Sequence, residues 1–184
     1  MRTLLFLLLT FPHFANAEIY QTEVIAEGLS HPWSIDFLPD GGYLIAMKSG
    51  EVRQISSNGQ VGEVISGGPV THFQGQGGYF DILLDPNYLE NNLVYLSYAG
   101  GPAEANATTI MKARLSDNSF LETDIIYRAT PTKDTPAHYG GKMHFLADGT
   151  LLVTTGDGFE YREGAQDRKS TRLNSSHQII SYAV

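Results

Sequence analysis

The chain has 184 residues, a formal net charge of −8 and no cysteine. The missing thiols exclude a cysteine nucleophile, a thiolate metal site and disulfide redox chemistry. The acidic balance argues against nucleic-acid binding, which needs Lys and Arg to neutralise phosphates.

The N-terminus reads as a targeting segment. Met1-Arg2 is a short basic start and Thr3 to Phe11 is apolar. That run is too short for a bilayer-spanning helix, which takes ~20 residues. Ala15-Asn16-Ala17 gives the small-x-small pattern of a signal-peptidase site. Residues 1–17 are therefore expected to be a signal peptide cleaved before Glu18, which implies a periplasmic or secreted protein. No other run is long and apolar enough for a membrane span, so the mature chain is expected to be soluble. An exported protein can use disulfides but need not. Here packing and hydrogen bonding must supply the stability.

Three stretches then share one plan: an apolar strand, a turn around an Asp, and a second apolar strand. The first is Ser34 to Asp40, Gly41-Gly42, then Tyr43 to Met47. The second is Tyr79 to Asp85, a longer turn, then Leu93 to Tyr98. The third is Lys142 to Asp148, Gly149, then Thr150 to Thr155. Each strand is short, rich in β-branched and aromatic residues, and bounded by Gly, Pro, Asn or Asp. Asp40-Gly41 and Asp148-Gly149 are hairpin signals. The repeated Asp residues are 45 and 63 positions apart. Between them lie further strand candidates. Glu51 to Ile55 and Gly62 to Ile65 flank Ser57-Asn58-Gly59. Thr108 to Leu115 and Thr123 to Tyr127 flank Asp117-Asn118. No stretch keeps a helical period. A β-sandwich also has short strands and turns at intervals. The recurring unit of about four strands at blade-like spacing favours an all-β propeller, with about two and a half blades present.

The tail from Asp167 reads DRKSTRLNSSH, then Gln178-Ile179, then ISYAV. Asp167 to His177 match, codon by codon, the translation of a sequencing-library adapter. Two index codons and the following adapter bases account for Gln178 to Val184. Residues 167–184 are therefore expected to be non-native, with Asp167 ambiguous, and residues 18–166 to be the N-terminal part of the propeller. That part holds 8 basic and 19 acidic residues, which also argues against an anionic membrane surface. A propeller closes as a ring. An open arc leaves edges and faces unpaired, so the chain as written is expected to be unstable or aggregated and inactive.

Two Gly-framed segments carry the candidate chemistry: Thr71-His-Phe-Gln-Gly-Gln-Gly-Gly78 and Ala137-His-Tyr-Gly-Gly-Lys142. Both precede the inner strand of successive repeats, whose equivalent loops lie on one face around the axis, so Gln76 and His138 are expected to converge on one central pocket. A His takes a proton near neutral pH. A Gln amide orients a hydroxyl or carbonyl, and glycines let backbone approach a flat ligand. The plain alternative is that His138 only bonds backbone and the glycines only make turns. His72 beside Phe73 and Asp157 in Thr155-Gly-Asp157 read as structural, Asp157 as a turn residue. Trp33, Tyr95 and Tyr98 read as strand packing, though aromatics also stack on sugars. Asn106-Ala-Thr108 is a glycosylation sequon expected to be unmodified.

Several blocks resemble the soluble aldose and glucose/sorbosone dehydrogenases that use pyrroloquinoline quinone. They are Leu29-Ser-His-Pro-Trp33, then Gly75-Gln-Gly-Gly78 with Phe80 to Pro86 and Asn92 to Tyr98, then His138-Tyr-Gly-Gly-Lys142 with Asp148 to Asp157. They run in order across nearly all of residues 18–166. The resemblance implies a six-bladed propeller oxidising the anomeric hydroxyl of aldose sugars to lactones, with hydride transfer to the quinone. It makes His138 the general base and places Gln76 by cofactor and substrate. It implies calcium polarising the cofactor, and a separate electron acceptor. Ala137 stands where some members have Asp, so a second carboxylate role is missing there. Lys142 stands for the usual Arg and lacks its planar fork. The calcium ligands and most basic cofactor contacts belong to later blades, and no metal ligand is assigned in this chain. Two readings compete: a metal-dependent lactonase-type propeller hydrolase and a non-catalytic propeller binding module.

Overall fold

The computed structural model describes residues 20–159 and 178–183. The expected signal peptide and the segment 167–177 lie outside the described residues. Three antiparallel meanders follow one another. The first sheet has the order β1 (Pro32–Phe37), β2 (Tyr43–Met47), β3 (Glu51–Ile55), β4 (Val61–Val64). The second has β5 (Tyr79–Leu84), β6 (Leu93–Gly100), β7 (Ala107–Ser116), β8 (Ser119–Arg128). The third pairs β9 (Gly140–Phe145) with β10 (Thr150–Thr155), and β10 with β11 (Gln178–Ala183). The first strand of each sheet packs on the first strand of the next, β1 on β5 and β5 on β9. These are blades arranged around an axis, as the repeat spacing predicts.

Strand β11 lies in the tail that the sequence assigns to adapter. It pairs along β10 from Thr150↔Ala183 to Thr155↔Gln178. A free strand edge offers unpaired N–H and C=O groups to any segment able to extend, whatever its side chains.

The repeated Asp has a backbone task. Asp40 Oδ1 accepts from the Gly42 N–H at 2.9 Å and Asp148 Oδ1 from the Thr150 N–H at 3.0 Å. Asp85 does more, because its turn is longer. Its Oδ1 accepts from the Asn87 N–H and from Asn91 Nδ2, both at 2.9 Å. Its Oδ2 accepts from the Tyr95 hydroxyl at 3.0 Å. These bonds hold a single helical turn, α1 (Tyr88–Asn91), ended by Asn92 at φ 53°. Four residues are too few to show a helical period. The β7–β8 hairpin turns on Asp117 and Asn118, at φ 49° and 56°, the left-handed pair that a two-residue loop requires. Strand β8 runs well past the Thr123–Tyr127 core that the sequence marks.

Strand β6 lies in the middle of the arc. Successive side chains of a strand point to opposite faces. Val94, Leu96 and Tyr98 therefore join the core shared with the first sheet, and Tyr95 joins the core shared with β9 and β10. Burial on both faces explains a strand apolar almost throughout. Strand β1 is different. Ser34 and Asp36 face the second sheet, where Ser34 Oγ accepts from the Ile82 N–H and Asp36 Oδ2 from the Leu84 N–H at 2.6 Å. Trp33, Ile35 and Phe37 alternate with them and are exposed by 58%, 48% and 68%. Trp33 is thus not the buried packing residue its sequence context suggests. The Lys48 ammonium lies 4.2 Å from its ring centroid. Tyr95 and Tyr98 are buried as expected.

Candidate active site

His138 lies in the loop entering β9, and Gln76 in the loop entering β5. Equivalent loops of adjacent blades share one face, and the structure brings the two residues together. Gln76 Oε1 accepts from the His138 backbone N–H at 2.8 Å, while the Gln76 backbone N–H donates to the Pro136 carbonyl at 2.8 Å. The Gln76 carbonyl oxygen is therefore used on backbone, and its amide NH2 is the end left to meet a ligand.

His138 has φ 54°. A residue with a Cβ holds this left-handed conformation only where its surroundings over-determine it. Besides Gln76, the Gly158 N–H donates to the His138 carbonyl at 3.3 Å. The imidazole is held through Nδ1, which lies 2.7 Å from Asp157 Oδ1. A carboxylate only accepts, so this bond selects the tautomer with its proton on Nδ1 and leaves Nε2 as the acceptor nitrogen of the ring. The Phe159 ring meets the imidazole edge-on at 5.2 Å. The His138 side chain is one-third exposed, whereas Asp157 is nearly buried. The imidazole is thus partly open to solvent, while the carboxylate that orients it is nearly buried.

Asp157 is the partner of His138 that sequence reading misses. It does serve a turn, since its Oδ1 also accepts from the Phe159 N–H at 2.9 Å. The same oxygen fixes His138. The carboxylate that Ala137 cannot provide comes from 19 residues after His138. The signal was present only as the order His, inner hairpin, Gly-Asp.

Against known proteins, the sequence model of the Glucose / Sorbosone dehydrogenase family matches residues 29–175. The chain belongs to this family. It is 34% identical over 149 residues to the aldose sugar dehydrogenase YliI of Escherichia coli, covering 79% of this chain and 40% of that protein. Its fold is similar to the crystal structure of the soluble aldose sugar dehydrogenase of Escherichia coli in the apo form. The TM-score is 0.77 at 30% identity, over 86% of this chain and 46% of that one. It is also similar to the pyrroloquinoline-quinone-bound aldose sugar dehydrogenase of Streptomyces coelicolor. There the TM-score is 0.70 at 25% identity, over 88% and 47%. The chain spans less than half the length of these relatives.

Membership of the glucose/sorbosone dehydrogenase family sharpens the question of what the Gly-framed loops do. A Cβ on Gly141, at φ 99°, would lie 2.6 Å from Phe80 Cδ2. One on Gly77 would lie 2.2 Å from the His72 carbonyl oxygen. The room these glycines leave is filled by the protein itself. At these two positions the absent side chain makes room for protein atoms. Gly141 lets the third blade touch the second, and Gly77 lets its own loop close on the His72 carbonyl.

Other expected candidates fall elsewhere. The His72 backbone N–H donates to the Ala99 carbonyl at 2.8 Å, which ties it to the end of β6. Lys142 Nζ donates to Asp81 Oδ1 at 2.7 Å. Asn106 of the sequon is fully buried, and its Nδ2 donates to the Ala103 carbonyl, so it presents no acceptor for a glycan.

The cofactors that the family resemblance implies fit unequally. Gln76 and His138 offer an amide donor and a proton acceptor side by side, which suits the reactive edge of a quinone and a sugar hydroxyl. Among the described residues no three His, Cys, Asp or Glu side chains group to hold a metal.

Proposed function

We propose that this chain carries the proton-transfer half of the active site of an aldose dehydrogenase that oxidises the anomeric hydroxyl of a sugar to a lactone. The observation that carries the reading is the 2.7 Å bond between His138 Nδ1 and Asp157 Oδ1, beside Gln76, in a chain of this family.

His138 Nε2 takes the proton from the O1 hydroxyl as that oxygen becomes a carbonyl. Asp157 keeps the proton on Nδ1, so Nε2 stays available, and it stabilises the imidazolium that forms. The Gln76 NH2 group donates to an oxygen of substrate or cofactor and so sets its orientation. The edge of Phe159 lines one side of the imidazole. Pyrroloquinoline quinone, when bound, supplies the oxidant that accepts the hydride from C1. A separate acceptor would take the electrons onward, and the Ala15-Asn16-Ala17 site supports an exported, periplasmic or secreted enzyme. The described residues give no basis for a step through calcium.

The test is reconstitution of the full-length protein with the quinone, followed by dye reduction with a panel of aldoses. Turnover that His138→Ala abolishes and His72→Ala leaves intact is the expected result. No turnover with any aldose, or equal loss in both variants, overturns the reading.

A further inference from the structure

Lys133 is only 6% exposed, although an ammonium is among the costliest groups to withdraw from water. It lies five residues before His138. Its Nζ stands 3.4 Å from the centroid of the Tyr139 ring and donates to the Ala137 carbonyl. Those two residues flank His138.

The same lysine is fixed to the second sheet. The Lys133 N–H donates to the Asn106 carbonyl at 2.9 Å, and the Asn106 N–H returns the bond at 2.8 Å. The Tyr139 hydroxyl donates to Asn106 Oδ1 at 2.7 Å, and Thr108 Oγ1 donates to the Tyr139 carbonyl at 2.7 Å. Lys133, His138, Thr108 and Gly156 line one small cavity. His138 is therefore held directly by Gln76 and Asp157, and also through the two neighbours that Lys133 clamps.

A packing role alone needs no charge here. Methionine fills the volume of a lysine stem without desolvating an ammonium. A buried cation that meets a carbonyl on one side of a residue and a π face on the other restrains that residue's backbone. The restrained residue is the one at φ 54°.

We propose that Lys133 is a positioning residue for His138, holding its imidazole on Asp157 by clamping Ala137 and Tyr139. The proposal rests on the reading of His138 as the proton acceptor.

The test uses Lys133→Met, which keeps the stem, and Lys133→Arg, which keeps the charge, in the full-length protein. In the quinone-loaded enzyme Lys133→Met is expected to lower kcat by about tenfold or more, because a small misplacement of a catalytic group is felt strongly. KM for the aldose and quinone affinity, measured by absorbance titration, should stay within about threefold. Lys133→Arg should recover most of the loss. An unchanged kcat, or a loss confined to KM or quinone affinity, overturns the proposal.

A second readout needs no turnover. In unloaded protein with 15N-labelled histidine, the His138 Nδ1–H signal should shift or broaden in Lys133→Met and return in Lys133→Arg. An unmoved signal overturns the proposal whether or not aldoses are oxidised. A moved signal with no turnover in the unsubstituted protein overturns only the reading of the reaction. Should Lys133→Met not fold, Tyr139→Leu removes the ring under the ammonium and is read by the same signal with the same two outcomes.

Discussion

Asp157 Oδ1 lies 2.7 Å from His138 Nδ1 and 2.9 Å from the Phe159 backbone nitrogen, so one carboxylate oxygen closes a turn and sets an imidazole tautomer. These two tasks separate on substitution. The amide oxygen of Asp157→Asn still accepts from Phe159 and keeps the turn. It lacks the charge that stabilises an imidazolium and allows the wrong tautomer. The variant should lose about 10²–10⁴-fold in kcat, as orienting carboxylates do elsewhere, with the fold and quinone affinity retained. Steady-state kinetics beside a quinone titration on the full-length protein measure both. A kcat within about threefold of the parent would show that the dyad is only structural.

Gly141 separates packing from ligand binding. Its Cβ would press on Phe80 at 2.6–2.8 Å, from a φ of 99° that side chains rarely adopt. Gly141→Ala should destabilise the unloaded protein by about 2–4 kcal/mol, combining overpacking with a strained backbone. Denaturant melts of the cofactor-free protein read this directly. If stability is unchanged and only quinone affinity falls, the glycine serves the ligand after all.

The fold was legible where the signal was local. Asp-Gly and Asp-Asn turns, strand-length apolar runs and the repeat of both identify the blades and nearly all the strand positions. The meeting of Gln76 and His138 followed from one geometric idea, that equivalent loops of a propeller share a face. What stayed hidden depends on contacts between blades. Asp157 reads as a turn residue because that is also true of it. Lys133 carries no sequence signal of its own, since nothing nearby in sequence shows that it pairs with Asn106 and lies over the Tyr139 ring. The glycines looked like a ligand cradle because Phe80, which fills the space, sits 61 residues before Gly141. Helix α1 escaped notice because it is held by Asp85 rather than by a pattern of its own.

Asp81 ties three blades together. It is fully buried. Its Oδ1 accepts from Ser34 Oγ at 2.5 Å and Lys142 Nζ at 2.7 Å, and its Oδ2 from the Met143 N–H at 2.8 Å. Lys142 can turn to solvent when its partner is lost, because its side chain is 72% exposed. Ser34 and the Met143 N–H cannot. Asp81→Ala should therefore cost about 3 kcal/mol, set mainly by two orphaned buried donors. Lys142→Met should leave a buried carboxylate that keeps two of its three donors, and should cost less. Urea melts of the two variants test the order, and a larger loss in Lys142→Met would refute this account.

Alkaline pH should unfold the protein through its tyrosines. Burial pushes the Tyr139 phenol up to about 12. It also raises Tyr79 and Tyr98, and raises Tyr95 together with the carboxylate of Asp85. A group whose pKa is raised on folding stabilises the fold fully below its unfolded value, here about 10. Above that, the unfolded chain releases phenolic protons that the folded chain retains. Stability therefore falls as pH rises through 10 and towards the folded values. Melting temperatures measured from pH 8 to about 11.5 should be flat at first and drop steeply beyond about 10. Tyrosinate absorbance should appear together with unfolding rather than before it. The Tyr95→Phe variant should show a shallower drop, having one fewer such proton. A Tm that stays level through pH 11, or tyrosinate formed in protein that is still folded, would mean these phenols are reached by solvent without opening the blades.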